Sequence, residues 1–336
     1  MPIGTLAFIG AWIFLRESRH DAAIRLDWLG FATLSVAIGG FQMMLDRGTE
    51  KDWFSSPEII AEATIAGVAF YLFLVQIFTA RQPFIRPRLF RDRNFTTGTL
   101  FVTVLGVNSF AALSLQPPFL QELMNDPIVT AGLVMGPRGL GTIIAMLIAG
   151  QIMGRVDTRL ILGLGLLLMA WAFHAMSGWT PDVSNLTIMS VGIVQGLGQG
   201  MLMVPLSTIS LSSLSPAARP EGAGIYNLAR TLGSSAGISM VNSLLAHNIQ
   251  VNHANIATYV TAFNRNLGDP HIARFWSPFT VAGRAALDAV LNQQAQVIAY
   301  NDDYKVLTLA TLSSLPLLFM LKRKERLVHD PGLMAE

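Results

Sequence analysis

Residues 185–206, NLTIMSVGIVQGLGQGMLMVPL, run from one end to the other without a charged side chain. The hydrocarbon core of a bilayer is about 30 Å thick, and a helix needs roughly 20 mostly apolar residues to cross it. The stretch therefore reads as a membrane-spanning helix. Working outward, stretches of the same kind cover residues 28–45, 59–80, 97–120, 129–151, 160–178 and 223–246, and a shorter one covers 306–321. With an apolar stub at 1–15, MPIGTLAFIGAWIFL, they make nine segments. Composition agrees: 52% of residues are hydrophobic and only 13% charged, against about 25% charged in soluble domains. Mean hydropathy is +0.48. The fold class expected is an all-α polytopic membrane protein. Cysteine is absent, which excludes disulfides, thiolate metal sites and a cysteine nucleophile.

The stub has no charge ahead of its apolar run and no cleavage site after it, so it is not a secretory signal. It is also shorter than a full span, which suggests further sequence upstream. Lys and Arg concentrate in the cytoplasmic loops of membrane proteins. Placing the loop 16–27 inside puts Arg16, Arg19, Arg25, Arg81, Arg86, Arg88, Arg91, Arg93, Arg155, Arg159, Arg219, Lys322, Arg323, Lys324 and Arg326 inside as well. That is most of the 23 basic residues. The short outer loops keep only Arg47 and Lys51, and the long polar stretch 247–304, also outside, carries Arg265, Arg274 and Arg284. Within it, helical spacing of apolar residues predicts short helices at 249–263 and 282–299. The stretch is either a folded cap or a docking surface for a partner.

Small residues four apart let helices approach closely. Gly192, Gly196 and Gly200 form one such ladder, and Ala229, Gly233 and Gly237 another. They imply tight packing, or helices that rock against each other. Arg138 lies deep in a span beside Pro137, where carbonyls freed by the proline are candidate acceptors for its guanidinium. It either pins the kink or meets substrate. Arg230, one turn after Asn227, is near enough to a span end to snorkel. Asn108, Gln116, Gln195, Gln199 and Asn242 should face the bundle interior or a wet cavity. Met135, Met201 and Met203 suit either a pliable pocket or ordinary core filling.

Proton coupling needs a titratable group at depth, yet the spans from residue 97 onward carry no Asp or Glu in their interiors, and His174 stands alone near an outer end. Glu58 and Glu62 read as an interfacial pair. The proton carrier is expected outside the residues of this chain. No phosphate-binding loop ends in Lys-Ser/Thr, and the Gly-rich GLGQG follows no strand. His247 and His253 are too loosely spaced for a metal site. No cofactor, metal, catalytic residue or nucleic-acid partner is expected.

LDRGTEKDWF (45–54), PPFLQELMNDPIVTAGLVMGPRGLGT (117–142), VQGLGQGMLMVPLSTISLSSL (194–214) and EGAGIYNLARTLGSSAGIS (221–239) together resemble the fourteen-span drug:proton antiporters of the major facilitator superfamily, the EmrB/QacA type. In that resemblance Pro2 to Gly4 opens the sixth span. Residues 1–15 are then a truncated span six, 16–94 two linking spans and a basic cytoplasmic loop, 95–321 the C-terminal six-span bundle, and 322–336 a cytoplasmic tail. GQIMGRVDTR (150–159) is similar to the superfamily's charged cytoplasmic loop at Gly150, Arg155 and Arg159, but has Gly154 in place of the Asp. The resemblance implies export of small hydrophobic substrates from the bacterial inner membrane by alternating access, with the proton gradient as energy source. It also implies a periplasmic adaptor subunit and an outer-membrane channel as partners. A non-transporting fragment and a half-transporter or structural subunit are the alternatives. An enzyme ranks last, because no buried nucleophile and base pair emerges.

Overall fold

A computed structural model of the chain describes residues 4–5, 8–10, 27–80, 83–261, 276–277 and 279–321. Most of the opening stub, Arg16, Arg19, Arg25, Arg81, Arg265, Arg274 and the tail 322–336 lie outside the described residues. The long elements are all helices: α1 Trp28–Gly48, α2 Pro57–Thr79, α3 Arg93–Pro118, α4 Ile128–Met135, α5 Pro137–Ile152, α6 Thr158–Met176, α7 Asn185–Ser212, α8 Arg219–Ala257, α9 Val281–Ser313 and the short α10 Leu317–Met320. Each expected full-length span has its helix, and six of these are long and apolar enough to cross a bilayer.

Side-chain caps mark where several helices begin. Asp27 accepts from the Gly30 N–H at the start of α1, Asp92 from Phe95 N–H at α3, Ser184 from Thr187 N–H at α7 and Thr280 from Gly283 N–H at α9. Each satisfies a donor that the first helical turn leaves open. Prolines mark the interruptions. Pro117 and Pro118 remove two ladder donors at the end of α3, and the backbone continues as a π turn, Phe119–Leu123. Pro137 opens α5 and separates it from α4, as its missing N–H requires.

The long polar stretch is organised differently from expectation. Residues 249–257 are not a separate short helix but the last turns of α8, whose 39 residues reach about 58 Å. Likewise 282–299 is the first half of α9, which continues unbroken to Ser313 and includes the start of the stretch 306–321. The two extensions pack on each other through His253 Nε2 and Asp288 Oδ1, 2.9 Å apart, and Asn248 and Asp303.

Helix α3 packs on α8, α5 and α6 on α7, and α9 on α8 and α6, while α1 and α2 form a hairpin that touches the bundle chiefly through α8. Glycine makes two of these crossings close. A Cβ at Gly196 would fall against the Arg138 carbonyl of α5, and one at Gly233 against the Thr103 carbonyl of α3. Gly200 and Gly237 continue each contact, but Gly192 does not: its nearest neighbour would be the Arg138 Cβ at an ordinary 3.7 Å. The outward faces of α2 and α5 expose Phe70, Tyr71, Phe78, Leu140, Ile143 and Leu147, a surface suited to lipid.

The hairpin also gives a topology test. Asp52 lies in the α1–α2 turn and Arg88 beyond the far end of α2, both exposed, with a 23-residue helix between them. In this cysteine-free chain, cysteine at Asp52 should react with an impermeant thiol reagent added outside sealed cells, and cysteine at Arg88 should not. Outside labelling at 88 would reverse the orientation.

Candidate functional site

Four packed helices, α3, α5, α7 and α8, bring polar side chains into the interior at two levels. At the upper level Gln116, at the end of α3, donates from Nε2 to Gln195 Oε1 of α7 at 3.3 Å and contacts Met176 Sδ of α6 at 3.7 Å. Both glutamines are buried. One turn along α7, Gln199 Oε1 accepts from Arg138 Nη2 at 3.0 Å. The Arg138 guanidinium therefore reaches across to α7, and the carbonyls freed by Pro137 are not its partners. Its Nη1 is buried with no protein partner, as are Gln195 Nε2 and both polar atoms of the Asn108 side chain. Buried polar groups left open this way call for ordered water or a ligand.

At the lower level a cavity of about 250 Å³ opens between α3, α5, α6, α7 and α8. Its wall is mostly apolar, built from Val102, Leu105, Phe110, Met146, Met169, Leu202, Met203 and Val204. Polar groups enter from Ser109, Gln199, Ser207, Tyr226, Asn227 and Arg230. Arg230 is half-buried and is the only charged residue in the wall; no carboxylate lines it. Its guanidinium has no hydrogen bond or ion pair among the described residues. The close approach of α3 at Gly106, where a Cβ would strike the Arg230 carbonyl, holds this turn of α8 against the cavity.

Of the residues expected at a substrate cavity, Gln199, Met203, Asn227 and Arg230 line it. Gln116, Arg138 and Gln195 do not: they form the buried polar layer above, and Asn108 is buried on α3 with neither amide atom partnered among the described residues. Met135 packs against the apolar core instead, and Asn242 serves as glue, accepting from Ser114 Oγ at 3.0 Å. Ser109, Ser207 and Tyr226 were missed. Tyr226 precedes Arg230 by one helical turn, so the i, i+4 relation was the available signal.

Arg159 donates to the Leu321 carbonyl and Arg93 Nε to the Met320 carbonyl at 2.8 Å, so two basic side chains clasp the C-terminal end of α10. Cations at a helix C-terminus meet its negative dipole end. Arg155, matched with Arg159 to the charged cytoplasmic loop, is exposed, and its side chain has no hydrogen bond or ion pair among the described residues. Gly154 adopts φ +95°, which suits it to the turn rather than to a charged contact. Glu58 and Glu62 each meet Arg47 at 2.9 Å, an ion-pair cluster at the α1–α2 turn.

A multi-pass helical bundle around a mostly apolar cavity with few polar anchors is the architecture of a membrane transporter. A sequence profile of the Major Facilitator Superfamily matches residues 1–238, and the chain belongs to that superfamily. Among curated relatives, the multidrug export protein EmrB of Escherichia coli (strain K12) is 32% identical over 269 residues, 79% of this chain and 52% of EmrB. The fatty acid resistance protein FarB of Neisseria gonorrhoeae is 28% identical over 329 residues, 96% of this chain and 64% of FarB. The chain thus spans about half to two-thirds of these relatives. A bacterial homologue of the human lysosomal transporter Spinster, solved inward-facing and occupied, shares the fold at a TM-score of 0.53 and 15% identity, covering 87% of this chain and 65% of that one. The chain is a multi-pass helical membrane protein of that superfamily, similar over part of their length to bacterial export and resistance proteins.

Proposed function

We propose that this chain forms the substrate-holding C-terminal part of a proton-driven exporter of small amphipathic compounds, with organic anions preferred. The observation that carries the reading is the cavity: an apolar wall, one unpaired guanidinium at Arg230, and no carboxylate. A half-buried guanidinium with no protein partner among the described residues is open to an anion, and a ligand with an anionic head and an apolar tail meets it while filling the wall. The resistance to fatty acids named for the relative from Neisseria gonorrhoeae fits such a ligand. Export by rocking of two bundles about a central site, and partnership with a periplasmic adaptor and an outer-membrane channel, complete the reading. The extensions of α8 and α9 beyond the membrane are the surface offered to the adaptor.

The test is equilibrium binding to the purified chain of three probes with the same ten-carbon tail: decanoate, decanol and decyltrimethylammonium. Decanoate should bind about tenfold or more tighter than the others, the worth of one charge-assisted hydrogen bond. Met203→Trp, which intrudes on the cavity, should weaken all three probes. Equal affinity for the three heads would remove the anion preference.

A further inference from the structure

Asp303 belongs to the polar stretch 247–304 expected outside the membrane, and the continuous α9 turns its side chain inward. Tyr300, Asp303, Tyr304, Leu307 and Thr311 form one buried stripe of that helix, at i, i+3, i+4, i+7 and i+11. Asp302, its neighbour, faces out and pairs with Lys305 at 2.9 Å.

Asp303 is 0% exposed, and sits just beyond the outer end of the apolar stretch 306–321. Around this level Tyr304 packs on Trp179 and Tyr300 on Phe119, closing the aromatic rim of the bundle. Among the described residues the carboxylate has a single hydrogen bond, from Asn248 Nδ2 of α8 to Oδ1 at 3.1 Å. Oδ2 is buried with no partner, and so is the Tyr304 hydroxyl. No basic side chain among the described residues forms an ion pair with it. The charged and titratable groups within electrostatic reach of the stripe are Asp302, Tyr300 and Tyr304 on α9, Glu122 on the π turn beside Tyr300, and Arg138 of α5 beside Tyr304. From α8, His247 is exposed and His253 is engaged by Asp288.

We propose that Asp303 is a proton-binding site at the outer rim of the bundle, holding its proton while α8 and α9 are packed together and releasing it to water when they part. An ionised carboxylate enclosed by protein with one hydrogen bond is strongly disfavoured, whereas the neutral acid fits the closed packing. Burial accordingly raises the carboxyl to about 7, against the opposing pull of the Asn248 hydrogen bond. The exchange is simple: a proton from water adds to an oxygen of the carboxylate on closure and returns to water on opening. The extended, mutually packed ends of α8 and α9 are the elements whose separation would admit that water. The inference is independent of what the cavity binds.

Two measurements on the full chain test it. Infrared difference spectra taken across neutral pH should show a protonated-carboxyl C=O band that titrates in the wild type and is missing in Asp303→Asn. Nitroxide labels on Gln250→Cys and Gln294→Cys, exposed positions on the two extensions, should report a longer or broader distance at high pH than at low pH. Asp303→Asn, which cannot ionise, should keep the short distance throughout. Should Asp303→Asn fail to fold, Asn248→Ala decides: losing the donor to the carboxylate should move the infrared midpoint up by about 1 pH unit. A titrating band that survives in Asp303→Asn, a midpoint unmoved by Asn248→Ala, or a pH-dependent distance that persists in Asp303→Asn overturns the proposal.

Discussion

Gly196→Leu is expected to leave almost no correctly folded protein in the membrane. The crossing of α5 and α7 is set by backbone against backbone: a Cβ at 196 would lie inside van der Waals contact of the Arg138 carbonyl and 2.9 Å from the Thr142 amide nitrogen. A flexible side chain could move aside, but a helical carbonyl cannot without shifting the helix that carries it. Overpacking costs about 1–3 kcal/mol even where side chains can adjust, and here the adjustment is denied. The shift would also pull Arg138 away from Gln199, leaving a buried guanidinium without its one hydrogen bond, a further cost of about 1–3 kcal/mol. Together these come to about 2–6 kcal/mol, a large share of the roughly 5–15 kcal/mol by which an ordinary domain is stable. Gly192→Ala, at the top of the same small-residue ladder, should be tolerated, since its nearest neighbour is 3.7 Å away. Monodisperse yield after detergent extraction separates the two. A normal yield for Gly196→Leu would mean that this crossing is looser than its geometry implies.

The contrast between Gly192 and Gly196 marks how far sequence reading reaches. Apolar length sufficed for the spans because lipid imposes the same requirement on each of them, whatever its neighbours. The Pro137 break was foreseeable for the same kind of reason, being a local consequence of a missing N–H. Which glycine sits at a crossing depends on where two helices meet, and spacing alone does not encode that. Arg138 is a similar case: its depth and need for a partner were clear, but its partner, Gln199, lies on another helix. Asp303 shows the opposite failure. Its neighbours Asp302 and Lys305 made the segment look like a loop, and the helical stripe that buries it was hidden within the charge.

Arg230→Glu should reverse the ligand preference of the cavity rather than abolish binding. Among the described residues Arg230 is the only charge in the wall and has no side-chain partner, and the rest of the wall is chiefly Leu, Val, Met and Phe. With no carboxylate there to be stranded by its loss, the substitution changes the sign of the site without creating a second unpaired group. Tyr226, Asn227 and Gln199 remain as neutral polar anchors for either head group. Decanoate should therefore weaken by about 10- to 100-fold, corresponding to a lost charge-assisted hydrogen bond and an added repulsion. Decyltrimethylammonium should tighten, because the new carboxylate gains a counter-charge in the same apolar surroundings. Arg230→Lys should keep most of the decanoate affinity, losing only the planar two-pronged geometry of the guanidinium. The neutral decanol serves as the control for the cavity itself, and its affinity should stay within a few-fold across all three proteins. Equal weakening of every probe would mean that the substitution had collapsed the cavity. Decanoate binding unchanged in Arg230→Glu, with decanol also unchanged, would remove Arg230 from the binding site.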